Sequence, residues 1–374
     1  MNENRVKELA KLFLKLGIIG FGGPAVHIAM MQEEVVVKKK WISEQHFLDL
    51  IGATNLIPGP NSTEMAIHIG HERAGWKGLI VAGFCFIFPA VLITGCFAWL
   101  YKKYGQLPEM QPFIYGIKPA IIAIILMAIF PLAKESLKTL ELGIIGLITI
   151  ALAILNYNQI YIMFGAGIVA LLISSIRNNT MNTNNFIPIS LFQLSKTTVV
   201  STTNLNLFLV FLKIGAILYG SGYVLFAFLD AELVSKGLLS RTTLIDAIAV
   251  GQFTPGPVFS SVTFIGYQMN GLSGAIVATI GIFLPSFLFV ALLNPLVKKM
   301  RNSKPFSVFL DAVNVASIAI IIAICFQMGT GVITDWRTIL IAVISILITF
   351  NYKKLNSVFI VSGGSMLGYI LTFV

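Results

Sequence analysis

Asn55-Leu56-Ile57-Pro58-Gly59-Pro60-Asn61-Ser62-Thr63-Glu64 is echoed two hundred residues on by Gln252-Phe253-Thr254-Pro255-Gly256-Pro257-Val258-Phe259-Ser260-Ser261. Two prolines around a glycine cannot continue a helix. Each lacks an N–H and restricts the residue before it. The flanks 48–51, Asp49 apart, and 56–57 are apolar, which argues against a plain loop. In hydrocarbon, freed backbone groups are tolerated only where they face protein or a water-filled cavity. Each Pro-Gly-Pro therefore reads as the tip of a re-entrant hairpin or the gap of a discontinuous helix.

Outward from these breaks, the whole chain is doubled. Phe13-Leu14-Lys15-Leu16-Gly17 returns as Phe211-Leu212-Lys213-Ile214-Gly215, and Phe21-Gly22-Gly23-Pro24 as Tyr219-Gly220-Ser221-Gly222. Glu34, Ser43 and Asp49 fall on Glu232, Ser240 and Asp246; Gly75, Gly78 and Pro89 fall on Gly271, Gly274 and Pro285. A doubled apolar chain, broken by Gly and Pro at matched places, points to a transporter whose site lies at the breaks.

Composition agrees. Hydrophobic residues make up 56% and charged residues 11% of the 374, and mean hydropathy is +0.87. Soluble domains carry about 25% charged residues. Apolar runs such as 79–100, 114–132, 160–176 and 274–293 read as membrane helices. The net charge of +10 does not call for nucleic acid. Its basic residues sit in short loops, as in Lys38-Lys39-Lys40 and Lys298-Lys299-Met300-Arg301, where the positive-inside rule puts them. Cys85, Cys96 and Cys325 lie in apolar runs without a CxxC, so neither a disulfide framework nor a metal site is expected. His68 and His71 could share a helix face, but no ligand set completes a metal site.

The expected organisation is an N-terminal repeat at 1–176, a polar linker at 177–207 and a C-terminal repeat at 208–374. The expected fold is an all-α integral membrane protein of two homologous halves. Basic loops swap ends between the copies: Lys38-Lys39-Lys40, Arg73 and Lys77 flank the first break, while the second copy gathers its charge at Lys298, Lys299, Arg301 and Lys304. That swap predicts an inverted repeat, with five spans and one re-entrant element per half.

A helix restarting after a break shows free N–H groups and the positive end of its dipole, an anion site made of backbone. The candidate binding residues are Gly22, Gly23, Asn55, Pro58, Gly59, Pro60, Asn61, Ser62 and Thr63 in the first copy. In the second they are Gly220, Ser221, Gly222, Thr254, Pro255, Gly256, Pro257 and Ser260. The same residues also serve as helix caps. Ionisable groups inside a membrane are costly and functional by default, which singles out Glu64, Asp49, His68 and Arg73 as coupling or charge residues. Glu64 has no carboxylate counterpart, since Ser261 stands in its place. It reads either as a proton-coupling group or as the partner of Arg73.

Phe21-Gly22-Gly23-Pro24, the stretch from Asn55 to Glu64, and Arg73-Ala74-Gly75-Trp76-Lys77-Gly78 resemble the signature of the chromate ion transporter family. Thr254-Pro255-Gly256-Pro257 resembles its C-terminal domain. The resemblance covers almost the whole chain except the linker. It implies a multi-pass protein of the cytoplasmic (inner) membrane that moves chromate, sulfate or a related oxyanion and confers chromate resistance. The second copy departs from the first at Gly222, Val258 and Ser261, so equal roles for the two breaks are not expected. The expected activity is secondary transport, with efflux driven by an ion gradient, because no nucleotide motif is present. An oxyanion channel is the alternative. An enzyme is not expected, since no flavin, haem or metal motif occurs. The expected partners are a tetrahedral oxyanion, membrane lipid and a second copy of the chain, without cofactor or nucleic acid.

Overall fold

The computed structural model describes residues 2–105, 107–177, 203–220, 222–301, 303–352 and 355–373, leaving aside the side chains of 2 and 293–301. Most of the expected linker, Ser221, and the side chains of Lys298, Lys299 and Arg301 lie outside the described residues. All regular structure among the described residues is helical. The first half holds α1 (Asn2–Ile19), α2 (Pro24–Gln32), α3 (Glu44–Thr54), α4 (Asn61–Tyr104), α5 (Gln111–Ser136), α6 (Leu140–Ile154) and α7 (Gln159–Arg177). The second holds α8 (Asn204–Ile217), α9 (Val224–Leu229), α10 (Arg241–Phe253), α11 (Ser261–Arg301), α12 (Lys304–Val332), α13 (Trp336–Asn351) and α14 (Ser357–Leu371). Matched landmarks do matched work. Ser43 accepts the His46 amide to cap α3, and Ser240 accepts the Thr243 amide to cap α10, each cap worth about 1 kcal/mol.

α4 is not straight. Ala74 and Gly75 leave helical geometry, with Gly75 at φ 63°, and Asn270 and Gly271 do the same in α11. A positive φ suits glycine, which has no Cβ to clash. Across these turns the backbones of Gly70 and Gly78, and of Gly266 and Gly274, lie against each other, and Thr263 bonds Thr279 at 2.7 Å. Each long helix is thus two antiparallel arms. In α4 they are 61–73 and 76–104, the second about 43 Å long at 1.5 Å per residue.

The Pro-Gly-Pro break sits at the tip of a further hairpin. His46, at the start of α3, meets Glu72, at the end of the first α4 arm, at 3.6 Å. The Gly-rich break turns the chain as well. Arg73 pairs with Glu8 on α1 at 3.3 Å and lies 4.7 Å above the Trp41 ring, so the chain that leaves this end on α1 is back beside it by residue 41. Each half therefore has two break-tipped hairpins, then a long arm and three more helices. Five spans with a single re-entrant element were expected. The difference arises because both breaks, not only Pro-Gly-Pro, reverse the chain.

The two halves run in opposite directions. The outer end of the second half's hairpin packs on the far end of the α4 arm: Gln268 donates to the Ala98 carbonyl at 2.9 Å, Tyr267 receives Lys102 over its ring at 5.7 Å, and Phe264 meets Tyr101 at 5.1 Å. This is the inverted repeat that the swapped basic loops imply. A large apolar core joins the halves, with Phe211, Phe259, Phe264 and Ile320 almost wholly buried. The exterior is apolar too, with Phe130, Leu147, Phe359 and Met366 exposed. Helices over 61–104, 108–136, 159–177, 258–292 and 304–332 are long and apolar enough to cross a bilayer.

Candidate functional site

The breaks of the two halves meet in the middle of the molecule. Gly59 donates its N–H to the Leu218 carbonyl at 2.8 Å, and Gly256 donates to the Gly20 carbonyl at 2.7 Å. Each Pro-Gly-Pro tip is tied to the Gly-rich tip of the other half. The level is central: a side-chain carbon at Gly256 would meet Ala90 Cβ at 2.9 Å, halfway along the second α4 arm. Gly20 is tied twice, since His27 Nε2 lies 2.8 Å from the same carbonyl. A carbonyl only accepts, so Nε2 carries the hydrogen. Leu225 stands at the equivalent place in α9 and offers no second donor.

The side chains at this junction are polar, buried and short of partners. Glu64, Thr63 and Ser62 on α4 are buried, as are Ser260 and Ser261 opposite. Glu64 Oε1 and Ser286 Oγ converge on Gly59, where an added Cβ would lie 2.6 Å from the serine oxygen and run into the carboxyl. Tyr219, next to Leu218, lies within electrostatic reach of Glu64. Among the described residues, Thr63 Oγ1 and Ser261 Oγ have no hydrogen-bond partner, and the Glu64 carboxyl has only the Ser286 hydroxyl beside it. Buried polar atoms are bonded in the great majority of cases, and each exception calls for an explanation. Orphans gathered at two helix restarts make this junction the candidate site.

Not every residue singled out in the sequence reaches this junction. Pro58, Gly59, Pro60, Ser62, Thr63 and Glu64 do, with Thr254, Pro255, Gly256, Pro257 and Ser260 from the other half; all are buried. Ser260 is bonded by Thr94 at 3.3 Å. Asn61 donates to Asn55 at 2.7 Å, so these two amides clasp the tip rather than face inward. Gly22, Gly23 and Gly220 adopt positive φ at the Gly-rich turns, beside a buried Gly222. Asp49 lies half-buried on α3, and Arg73 lies at the outer end of the hairpin. The Glu64–Arg73 pair does not form: the guanidinium reaches Glu8 instead, because eight helical residues separate the tip from Arg73. His68 is buried on the α4 arm with both ring nitrogens unpartnered. His71 packs against Trp76, and no metal cluster occurs among the described residues.

Three participants were not picked out from the sequence. Tyr219 and Gln252 stand inside the repeated motifs, and Ser286 follows the matched Pro285. Their positions were visible, but the approach of Tyr219 and Ser286 to Glu64 depends on how the halves cross.

Comparison with known proteins fits this architecture. The chromate transporter family model matches twice, over residues 7–171 and 205–369. The chromate transport protein of Cupriavidus metallidurans is 30% identical over 98% of this chain and 93% of its own length. The probable chromate transport protein of Synechococcus elongatus is 31% identical over 98% of this chain and 95% of its own. An uncharacterized transporter of Methanocaldococcus jannaschii is 26% identical over 96% of this chain. No solved structure shows significant similarity. With both halves matched and relatives aligned nearly end to end, the chain belongs to the chromate transporter family and is a multi-pass membrane protein of two family repeats.

Proposed function

We propose that this protein is a secondary transporter that moves chromate, or a related tetrahedral oxyanion, out across the cytoplasmic membrane. The observation that carries this reading is the central junction, where the break tips of the two halves are cross-tied and buried polar side chains, Thr63 and Ser261 among them without a partner, gather around them. The first turn of α4 offers a positive dipole end, with the Asn61 and Ser62 amides ahead of the Thr63 and Glu64 amides that the Pro60 carbonyl takes. Thr63, Ser286 and Tyr219 add hydroxyl donors, which suits a tetrahedral anion. The names of the full-length relatives point to chromate.

Glu64 supplies the coupling. A carboxylate repels a dianion arriving at the same tip, so the anion binds when Glu64 carries a proton. One proton riding with a dianion leaves a net charge of −1. Its outward movement across an inside-negative membrane gains about 2.3 kcal/mol per 100 mV. The cross-ties close the centre, which favours gated access over the open pore of a channel. Uptake of labelled chromate and labelled sulfate into proteoliposomes, with and without a pH gradient, tests the proposal. Saturable, gradient-sensitive flux supports it, and conductance without coupling favours the channel.

A further inference from the structure

We infer that protons reach Glu64 from one face of the membrane only, through a relay built into the first half: a water-filled cavity at Glu72 and His46, then His68, then Glu64. The inference rests on the coupling role proposed for Glu64. Glu64, His68 and Glu72 stand at i, i+4 and i+8 on the first α4 arm. Successive members of such a row have Cβ atoms about 6 Å apart on one helix face. Glu64 ends the row at the junction. Glu72 opens it at the outer end, where it meets His46 at 3.6 Å and both line a cavity of about 270 Å³. A water molecule takes about 30 Å³, so the cavity holds several.

His68 is the middle member. It is 1% exposed, and neither ring nitrogen has a partner among the described residues. An imidazole without fixed partners can take a proton on one nitrogen and release one from the other. A proton entering from the cavity binds one nitrogen, the opposite nitrogen gives its proton to the Glu64 carboxylate, and a ring flip restores the start. The charged and titratable groups around this row are His71 and Arg73 on the same arm, His46 and Asp49 on α3, Arg5 and Glu8 on α1, and Tyr219 from the second half beside Glu64.

The second half has no such row. Ser260 and Ser261 stand where Glu64 would, Phe264 and Ile265 where His68 would, Gln268 for Glu72 and Thr243 for His46. None of these titrates near neutral pH. Since the halves are inverted, the asymmetry gives the proton a sidedness: it enters at the face that carries residues 41–46 and 72–73 and leaves with the anion at the other.

The full chain in proteoliposomes, with a pH dye trapped inside, reads chromate-driven proton flux directly. The His68→Leu variant is expected to lose proton flux at least tenfold while exchange of labelled for unlabelled chromate stays within about twofold, which shows that it is folded. In a chain freed of Cys85, Cys96 and Cys325, Ser43→Cys places a thiol in the cavity wall. A bulky impermeant maleimide should then slow proton flux from that face only. Wild-type proton flux in His68→Leu, with flux abolished in Glu64→Gln, overturns the relay but leaves the coupling role standing. Wild-type proton flux in Glu64→Gln overturns the coupling role and the relay together. If His68→Leu loses exchange as well, the labelled Ser43→Cys chain decides, and unslowed flux after labelling from the cavity face overturns the relay.

Discussion

The Gly59 amide donates to the Leu218 carbonyl at 2.8 Å, across the boundary between the two halves. Its counterpart, Gly256 to Gly20, repeats the bond in the opposite sense at 2.7 Å. Each half therefore holds open the break of the other. A rearrangement that frees one tip frees the helix end that it faces, which is how a fixed central site can alternate between two sides.

Gly59 tolerates no side chain. Its φ is 138° and a Cβ would strike the Glu64 carboxyl and Ser286. Gly59→Ala should lower chromate flux at least tenfold, and Gly59→Leu should abolish it, with membrane insertion and elution as a single species preserved. The backbone strain alone costs about 1–2 kcal/mol. Flux assays paired with size-exclusion chromatography check both parts; wild-type flux in Gly59→Ala would reduce the break to a structural turn.

In its proposed role, Glu64 sets the pH dependence of binding. Falling pH loads the carboxyl with its proton and removes the repulsion, so chromate binding should tighten as pH falls. Glu64→Gln mimics the loaded state. It should bind chromate with little pH dependence and keep chromate-for-chromate exchange while losing the response to a pH gradient. Binding titrations at several pH values, with parallel flux, decide this.

Much of this was legible in the chain. The doubled Pro-Gly-Pro, the paired Gly75 and Gly271, and the swapped basic loops were enough to read an inverted helical repeat, because proline and glycine act through local backbone geometry. The number of hairpins was not legible. Gly20 to Gly23 could end a helix or reverse it, and the Arg73 contacts with Glu8 and Trp41, with the Lys15–Glu34 pair, show the reversal. Glu64 stood out as an unmatched acid, but its neighbours did not. Ser286 and Tyr219 come from the other half, and their approach depends on tertiary crossing rather than on spacing along a helix.

The Gly-rich hairpins carry matched charge locks. Glu34 takes Lys15 at 3.0 Å, and Glu232 takes Lys213 and Lys236 at 2.6 Å each. Burial pushes the Glu232 carboxyl up, but hydrogen bonds and charge from the two lysines outweigh it and hold it below the usual range. A depressed folded pKa stabilises the fold above the unfolded value, about 4.3, and that contribution fades as pH falls through the folded pKa. Glu232→Gln should lower the melting temperature at pH 7 and flatten the loss of stability on acidification below about pH 4. The two lysines left behind are part-exposed and screened by solvent, so the loss comes from the missing hydrogen bonds rather than from a stranded buried charge, and thermal unfolding in detergent across pH measures it.

Inversion of the halves is checked by labelling. Cysteines at Lys39 and Lys236, one at a time in a cysteine-free chain, should react with an impermeant maleimide from opposite faces of sealed vesicles. Reaction of both from one face would mean a parallel repeat.

The most direct test of the account is simultaneous measurement of chromate and proton movement in proteoliposomes under an imposed membrane potential. The account predicts saturable chromate flux toward the positive side, one proton moving with each dianion, and loss of the proton but not of exchange in Glu64→Gln. Chromate flux that never saturates and carries no proton, or no chromate flux at all, would contradict it.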